Sequence, residues 1–322
     1  MKAAVYRSYG SPDVVRVEET PTPVPRDNEV LVRVHAATVG AADSAGRQGA
    51  PFYARLYFGL RRPKFPVLGS EFAGVVQAVG PAVTRFAVGD EVFGVTGPRF
   101  GAHADYVCLP ETEAVAAKPA ELSFVEAAAL VDATALSFLR DRAKLQKGQT
   151  ILVNGASGAV GSAAVQIARN FGAIVTAVCS GANDQLVRDL GADKVIDYAI
   201  EDFAHSGQTY DVIFDAAGKS SFGRCRGCLA PGGIYLTTVP SVAILFQTLW
   251  TKRFGDKRAA ISFTGLRPSS EKSNDLRYVR ELVAARQLVP VVDSTYPLER
   301  IADAYRRVDP GHKRGNVVVT MS

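Results

Sequence analysis

The sequence is poor in cysteine, histidine and methionine, and it has no long apolar run. Its 322 residues include four cysteines, four histidines and two methionines. So few cysteines in a chain of this length exclude the disulfide framework of small secreted domains. No apolar run reaches the roughly 18 residues that a membrane-spanning helix requires. The chain starts directly with an alternating strand pattern, Met1-Lys-Ala-Ala-Val-Tyr6, so we expect no signal peptide and a cytoplasmic location.

The few thiols are badly spaced for a metal centre. Cys225 and Cys228 form a lone CxxC in a segment that we predict to be helical, where this spacing places both side chains on one face. A structural zinc needs two further cysteines or histidines at matching spacing, but Cys108 and Cys179 stand in separate strand-like segments. The sequence therefore favours neither a structural metal site nor a redox pair.

Composition and charge indicate a globular enzyme with two domains. The chain is too long for one ordinary core, and its 47% hydrophobic and 21% charged residues are typical of globular proteins. The formal charge of +5 would suit a nucleic-acid partner, but the lysines and arginines are spread along the chain and 32 acidic residues balance most of them. We therefore expect a mildly basic enzyme that binds small anionic cofactors and no nucleic acid.

The pattern of predicted elements changes near residue 121. Before it, short strands separated by proline and glycine predict a small, partly open β-barrel. After a helix predicted over 122–144, strands and helices alternate, which predicts a parallel sheet covered on both faces. We place these strands at 150–154, 173–179, 194–197, 211–216 and 233–239, and the helices between them at 158–171, 182–190 and 219–229.

The segment from Thr150 to Gly161 carries the strongest local signal. An apolar strand runs into the turn Gly155-Ala-Ser-Gly-Ala-Val-Gly161, and helix-forming residues follow it. Gly155 and Gly158 let the backbone turn sharply and approach a pyrophosphate, Gly161 allows close helix–strand packing, and the helix N-terminus presents free N–H groups. This context predicts a dinucleotide site formed by Gly155, Ala156, Ser157, Gly158, Ala159, Val160 and Gly161.

Further markers stand in order along nearly the whole chain. They are Met1-Lys-Ala-Ala-Val5, Val67-Leu-Gly-Ser-Glu-Phe-Ala-Gly-Val-Val76, Val88-Gly-Asp-Glu-Val-Phe-Gly94, the glycine turn, Leu190-Gly-Ala-Asp-Lys-Val-Ile-Asp-Tyr198 and Gly311-His-Lys-Arg-Gly-Asn-Val-Val-Val319. With these markers the sequence resembles the medium-chain dehydrogenase/reductase superfamily, in particular its zinc-free quinone oxidoreductase-like branch. The resemblance implies a GroES-like catalytic domain built from 1–121 and 266–322, with a Rossmann domain at 122–265 inserted between.

By this resemblance, the zinc ligands of the alcohol dehydrogenases are missing. Ser70 stands where those enzymes have the histidine of a Gly-His-Glu motif, and Val39-Gly-Ala-Ala-Asp43 replaces the segment that carries their cysteine ligand. His35 and His103 remain, but a lone imidazole is more often a hydrogen-bonded side chain than a ligand. We therefore predict no metal. Without a metal ion, no Lewis acid stabilises the charge that the transferred hydride leaves on the substrate. The favoured substrate is therefore one that delocalises this charge itself, as a quinone or an α,β-unsaturated ketone does.

The end of the second strand favours NADPH over NADH. An NAD site usually has Asp or Glu there to hold the ribose hydroxyls, whereas this chain has Ser180 and leaves room for a 2′-phosphate. The resemblance matches Tyr198 to a family tyrosine that reaches this phosphate. It places Asn183 where some members have lysine, so Arg188 or a basic residue near the C-terminus would have to supply the cation. We also assign Ala217, Gly218 and Asn316 to the cofactor site.

The resemblance also indicates the catalytic side. Thr134 matches a family threonine that lines the nicotinamide pocket, and Asp132, in the same segment, is either catalytic or structural. The substrate side is expected to include Gly40, Asp43, Tyr53, Tyr57 and Phe58. Because Gly40 replaces an asparagine that is common in the family, Tyr53 becomes the candidate proton donor, with an aromatic cleft lining as the alternative. Our candidate catalytic residues are Tyr53, Thr134 and Asp43.

An apolar run at 241–250 is followed by four basic residues up to 258. It would serve as a lid, a subunit contact or a membrane-surface element; we favour the first two and expect a homodimer. The sequence as a whole predicts NADPH-dependent, zinc-independent reduction of quinones or α,β-unsaturated carbonyls by hydride transfer. The alternatives are a zinc-free alcohol or aldehyde reductase and a non-catalytic dinucleotide-binding sensor.

Overall fold

The computed structural model describes residues 1–130 and 133–321. Its strands are β1 (Lys2–Val5), β2 (Arg16–Glu19), β3 (Glu29–Val39), β4 (Glu71–Val79), β5 (Glu91–Val95), β6 (Tyr106–Pro110), β7 (Val115–Ala117), β8 (Thr150–Asn154), β9 (Ile174–Cys179), β10 (Lys194–Asp197), β11 (Tyr210–Asp215), β12 (Leu229–Thr237), β13 (Arg258–Ile261), β14 (Val292–Pro297) and β15 (Asn316–Thr320). Its α-helices are α1 (Ala41–Gln48), α2 (Arg55–Phe58), α3 (Phe124–Ala128), α4 (Ala133–Leu136), α5 (Ala159–Asn170), α6 (Asp184–Asp189), α7 (Phe222–Cys225), α8 (Val242–Arg253), α9 (Ser269–Ala284) and α10 (Ile301–Val308).

The described residues form two compact units. The first contains residues 1–130 and 265–321, and the second contains 133–264. The helix predicted over 122–144 is broken into α3, α4 and a π-helical segment, Ser137–Ala143. The fully buried Ala127 and Ala128 of α3 belong to the first unit, where α3 packs on β3 and β4. We expected the second domain to start at residue 122, but this packing keeps 122–130 with the first unit.

The long strand β3 organises the first unit. One edge of β3 pairs with β6 through Glu29–Arg33 and with β15 through Ala36–Val39, while its other edge pairs with β4. The sheet continues from β4 to β5 and β7, and from β15 to β14. Val30, Val32 and Val34 alternate along β3 and are buried, as the period of two in a strand requires. This strand-rich sheet agrees with the predicted partly open barrel.

The second unit contains the predicted parallel sheet. Its strand order is β10-β9-β8-β11-β12-β13, and every neighbouring pair is parallel. This is the doubly wound order of the Rossmann fold, in which the chain reverses direction across the sheet between β8 and β11. Ligands of such sheets bind outside the carboxyl ends of the strands at that reversal. The fold therefore directs attention to the residues that follow β8, β9 and β11.

The apolar run after residue 240 forms α8. Val242, Phe246, Leu249 and Trp250 are exposed along one face of this helix, and the Phe246 and Trp250 rings stack at a centroid distance of 5.9 Å. Among the described helices, none is both long enough and apolar enough to cross a membrane.

Candidate active site

Two of the three glycines in the nucleotide turn are required by the fold itself. Gly155 has a φ of +81°, a backbone conformation that side chains disfavour, and a Cβ there would lie 2.7 Å from the Cβ of Ala217. A Cβ on Gly161 would lie 2.0 Å from the carbonyl oxygen of Gly155. Both contacts are closer than atoms can approach, so neither position accepts a side chain without a backbone shift.

Gly158 is different, because the folded chain leaves room for a side chain there. Its φ of −78° is ordinary, and a Cβ would meet only the Gly155 carbonyl oxygen at 3.4 Å. Gly158 is the N-cap of α5, where the first N–H groups of a helix have no partner within the helix. A cap without a side chain leaves these donors open to an anion. This arrangement fits the pyrophosphate of a dinucleotide.

Three predicted cofactor residues meet at the carboxyl ends of β8 and β9. The Asn183 Nδ2 donates to the Ser157 Oγ at 3.1 Å and to the Ser180 Oγ at 3.0 Å. Because Asn183 holds both hydroxyls, Ser157 and Ser180 form one polar pocket wall, which we call the serine cluster (Ser157, Ser180 and Asn183). Hydroxyl and amide groups of this kind can donate to a phosphate. The wall is suited to the 2′-phosphate of NADPH.

Tyr198 lies beside this cluster, whereas the charge of Arg188 is already paired. The backbone N–H of Tyr198 donates to the Cys179 carbonyl oxygen at 3.1 Å, directly before Ser180, and 54% of the Tyr198 side chain is exposed. The Arg188 Nε donates to the Asp184 Oδ2 at 2.6 Å. Arg188 is therefore held on α6 by its neighbour, which weakens the hypothesis that it supplies a cation to the phosphate.

A buried hydrogen-bond network beneath the turn was missed at the sequence level. Asp215 is fully buried at the end of β11 and accepts from the Asn154 Nδ2 at 2.9 Å, from the Tyr235 hydroxyl at 3.0 Å and from the Ser220 N–H at 2.8 Å. Burial, with the neighbouring Asp215 carboxylate, raises the pKa of Tyr235 well above its usual value, so Tyr235 stays a donor. The network joins the ends of β8 and β11 and supports Ala217, whose N–H donates to the Asn154 carbonyl oxygen.

Asp43 is buried and bonded to backbone. It is 1% exposed; its Oδ2 accepts from the Gly40 N–H at 2.8 Å and its Oδ1 from the Gly69 N–H at 3.0 Å. Both oxygens therefore bind backbone amides, one at the start of α1 and one in the segment before β4. These bonds give Asp43 a structural role, and its catalytic role stays a prediction.

Tyr53, in contrast, is accessible. It lies in a short 3-10 helix, Phe52–Ala54, and 46% of its side chain is exposed. Its roles as a proton donor or an aromatic surface both stay predictions.

The other predicted aromatic residues of the substrate side are anchored. The Tyr57 hydroxyl donates to the Pro98 carbonyl oxygen at 2.9 Å, and the Tyr57 and Phe58 rings lie 5.2 Å apart. Phe58 and Phe65 also pack against Phe100, with centroids 5.4 and 5.5 Å away from it. Phe100 has a φ of +57°, which is unfavourable for a bulky residue, so this ring cluster holds a strained backbone in place.

Three other predicted residues have mixed outcomes. Thr134 is half-buried in α4 of the second unit. Asn316 is 6% exposed in the first unit, where its Nδ2 donates to the Ala129 carbonyl oxygen at 3.0 Å. This bond joins β15 to the end of α3 and gives the Asn316 amide a structural role, and its predicted cofactor contact stays a prediction. Asp132 lies outside the described residues.

The histidines and cysteines of the described residues form no metal-binding set, although the Cys228 Sγ lies 3.2 Å from the Cys225 carbonyl oxygen. The His103 Nε2 lies 2.8 Å from the Thr38 carbonyl oxygen, and the His35 ring stacks on Phe124 at 4.4 Å. Burial raises the pKa of the Cys179 thiol to about 11, so this thiol stays protonated. Within 1–130 and 133–321, no group of three or more His, Cys, Asp or Glu side chains is placed to hold a metal ion.

Comparison with known proteins agrees with this architecture. Residues 26–120 match the alcohol dehydrogenase GroES-like domain family, and residues 190–319 match the family described as zinc-binding dehydrogenase. The chain is 32% identical to a chloroplastic quinone-oxidoreductase homologue of Spinacia oleracea over 99% of its own length and 98% of that protein. It is 32% identical to a chloroplastic NADPH-dependent alkenal/one oxidoreductase of Arabidopsis thaliana over 99% of its length and 79% of that protein.

A solved structure gives the same result. The quinone oxidoreductase from Coxiella burnetii superposes with a TM-score of 0.89 at 28% identity, covering 100% of this chain and 99% of that one. The GroES-like and Rossmann predictions of the sequence analysis are confirmed.

Proposed function

Because this chain belongs to the medium-chain dehydrogenase/reductase superfamily, in its quinone oxidoreductase-like branch, we propose that it reduces quinones or α,β-unsaturated carbonyls with NADPH. The names of two relatives supply the substrate class, since one is a quinone-oxidoreductase homologue and the other an alkenal/one oxidoreductase. The observation that best supports dinucleotide binding is Gly158, because the fold leaves room for a Cβ at this position and so does not itself require a glycine.

The proposed cofactor contacts follow from the chain's own groups. The open N–H groups at the start of α5 would hold the pyrophosphate, and the serine cluster with Tyr198 would hold the 2′-phosphate. When bound, NADPH supplies the hydride. The side chains of the serine cluster are neutral, so recognition of the phosphate here rests on hydrogen bonds more than on ion pairs.

The acceptor would be bound by aromatic surface. The exposed Tyr53 ring and the ring cluster of Tyr57, Phe58, Phe65 and Phe100 would offer flat apolar area to a flat conjugated substrate. Reduction of a conjugated carbonyl adds a proton besides the hydride, and the Tyr53 hydroxyl is our candidate donor. Tyr53 is exposed, so water can replace it in this step.

An acceptor panel tests the function. We expect NADPH oxidation with 1,4-benzoquinone and with 3-buten-2-one, and none with 2-butanone, the matched ketone without the conjugated double bond. Turnover of butanal but of neither conjugated acceptor would support the alcohol or aldehyde reductase alternative. NADPH binding without turnover of any acceptor would support a sensor.

We also propose that turnover is zinc-independent. Ser70 replaces the ligand histidine of the zinc relatives, and its carbonyl oxygen accepts from the Thr96 N–H at 2.8 Å as part of the sheet region. Activity with the conjugated acceptors should persist after dialysis against a chelator. About one zinc per chain by elemental analysis, lost together with activity, would contradict this.

A cytoplasmic homodimer is the assembly that we propose. The exposed apolar face of α8 supports a subunit contact, because exposed patches of this kind mark interaction surfaces. Light scattering after size-exclusion chromatography measures the mass of the assembly, and cell fractionation tests the location.

A further inference from the structure

A second concave site lies in the first unit, where α9 faces β5 and β7. It is a cavity of about 250 Å³. Its apolar lining is contributed by Phe86, Val92, Val115, Ala116 and Ala117, and its polar lining by Arg85, Asp90, Ser273, Arg277 and Arg280. The glycine turn and the serine cluster belong to the second unit, whereas every residue that lines this cavity belongs to the first.

The charge around this cavity is unbalanced. Three arginines and one aspartate line it. Arg277 and Arg280 lie three residues apart on α9 and therefore on one face of the helix. Neither guanidinium has a hydrogen bond or ion pair with another described residue, although Glu281 stands one turn after Arg277. Both side chains are exposed to solvent, and an anion between these like charges would relieve their repulsion.

The remaining charged groups are occupied locally. The Arg85 side chain donates to the Glu111 carbonyl oxygen and, at 3.5 Å, to the Val115 carbonyl oxygen, and its guanidinium lies 5.2 Å from the centre of the Phe86 ring. Arg85 is thus a fixed wall of the cavity. The Asp90 Oδ2 accepts from the Ala87 N–H at 2.8 Å, so this carboxylate is tied to its own turn.

We propose that this cavity binds a small organic anion, with a carboxylate or phosphate group on the arginines and an apolar body on the strand residues. The planar guanidinium fork matches carboxylate and phosphate oxygens in pairs. The volume is below the roughly 300–1,000 Å³ of pockets that hold drug-sized ligands. A single-ring compound therefore fits, and a nucleotide does not.

The test is calorimetric titration of the full-length protein saturated with NADPH, so that the nucleotide turn is already occupied. Phenyl phosphate and benzoate carry one ring with either anionic group, benzyl alcohol is the neutral analogue, and inorganic phosphate lacks the ring. We expect at least one anionic probe to bind about tenfold or more tightly than benzyl alcohol and than inorganic phosphate. Equal affinity for the neutral analogue or for bare phosphate would overturn the proposal.

Variants locate the binding. Arg277→Gln and Arg280→Gln should each weaken the better probe by about tenfold, whereas Lys272→Gln, which removes a charge from the same helix outside the cavity, should not. Ala117→Phe should block the cavity without changing its charge; Ala117 is exposed on β7, so the fold should be kept. Circular dichroism verifies folding of each variant. Unchanged binding in the arginine variants, or an equal loss in Lys272→Gln, would place the probe elsewhere.

Discussion

The nucleotide turn and the acceptor side differ in what builds them. The turn is one continuous segment, 155–161, and backbone groups form its surface. The proposed acceptor side consists of side chains from separate segments, such as Tyr53, Tyr57 and Phe100. A surface made of backbone depends on local conformation, and glycines reveal it in the sequence. A surface made of side chains depends on distant partners, which no local pattern displays.

The turn contains its own internal comparison. A Cβ on Gly161 collides with the Gly155 carbonyl oxygen at 2.0 Å, whereas a Cβ on Gly158 meets that oxygen at 3.4 Å, an ordinary contact. The same motif therefore contains two glycines that the fold requires, Gly155 and Gly161, and one, Gly158, that we propose the ligand requires. Substitutions at the two positions should fail in different ways.

The largest effect is expected for Gly161→Ala. The added methyl group meets backbone that cannot move away without separating α5 from β8, so we expect a loss above the ~1–3 kcal/mol that is usual for overpacking. Such a loss is a large part of a total free energy of unfolding of about 5–15 kcal/mol. Urea unfolding followed by circular dichroism measures it. A variant as stable as the wild type would remove the steric basis of the comparison.

Gly158→Val should affect the ligand instead. A Cβ at this position fits the folded chain, and we expect the valine side chain to cover the N–H groups at the start of α5. Charge-assisted hydrogen bonds contribute roughly 1.5–3 kcal/mol each, so the loss of two of them lowers NADPH affinity by about a hundredfold or more. The free energy of unfolding should change by no more than about 1 kcal/mol, the effect of a poorer N-cap. Near-native affinity in the folded variant would make this turn purely structural.

Asp43→Asn distinguishes a structural role of Asp43 from the predicted catalytic one. The amide has one acceptor oxygen, so one of the two backbone bonds is lost, and we expect the free energy of unfolding to fall by about 1.5–3 kcal/mol. Turnover per folded molecule should fall by far less than the roughly 10²–10⁴-fold contribution of a general acid or base. If turnover collapses while stability is unchanged, Asp43 is catalytic after all.

Sequence prediction succeeded for features with local causes and failed for features that depend on distant contacts. The parallel sheet was predicted because buried strands read as apolar runs between helical segments, and the turn because its glycines have local causes. The break in the helix predicted over 122–144 was missed, since its alanines and leucines favour a helix by propensity. Its cause is tertiary: α3 packs on β3 and β4 of the first unit, whereas α4 belongs to the second.

The hydrogen bonds that sequence analysis missed in the candidate site have long-range partners. The bond between Asn154 and Asp215 joins residues 61 positions apart, and the bond from the Gly69 N–H to Asp43 joins residues 26 positions apart. One signal was available for the first pair. Both residues end neighbouring parallel strands, where polar groups of an otherwise apolar sheet meet.

Ser180→Asp should reverse the cofactor preference by a smaller margin. The new carboxylate stands beside the Asn183 amide, where it repels a 2′-phosphate and accepts from ribose hydroxyls. We expect NADPH affinity to fall by at least about tenfold and NADH affinity to rise. Ser180→Ala is the matched control, which removes the hydroxyl without adding charge and should weaken NADPH only slightly. If Ser180→Asp leaves the ratio of the two affinities unchanged, the serine cluster does not contact the phosphate.

The smallest effect is expected for Tyr53→Phe, which tests the proposed acceptor side. A well-positioned general acid contributes roughly 10²–10⁴-fold, but 46% of the Tyr53 side chain is exposed, so water can deliver the proton when the hydroxyl is removed. We therefore expect kcat with 3-buten-2-one to fall by only about tenfold, with little change in KM because the ring remains.

Tyr57→Phe is the control: its hydroxyl bonds to the Pro98 carbonyl oxygen, so its loss should leave kcat unchanged. Equal kcat for Tyr53→Phe and wild type would reduce Tyr53 to an aromatic surface. Tyr53→Leu would then raise KM, because the flat ring that faces a conjugated acceptor would be gone.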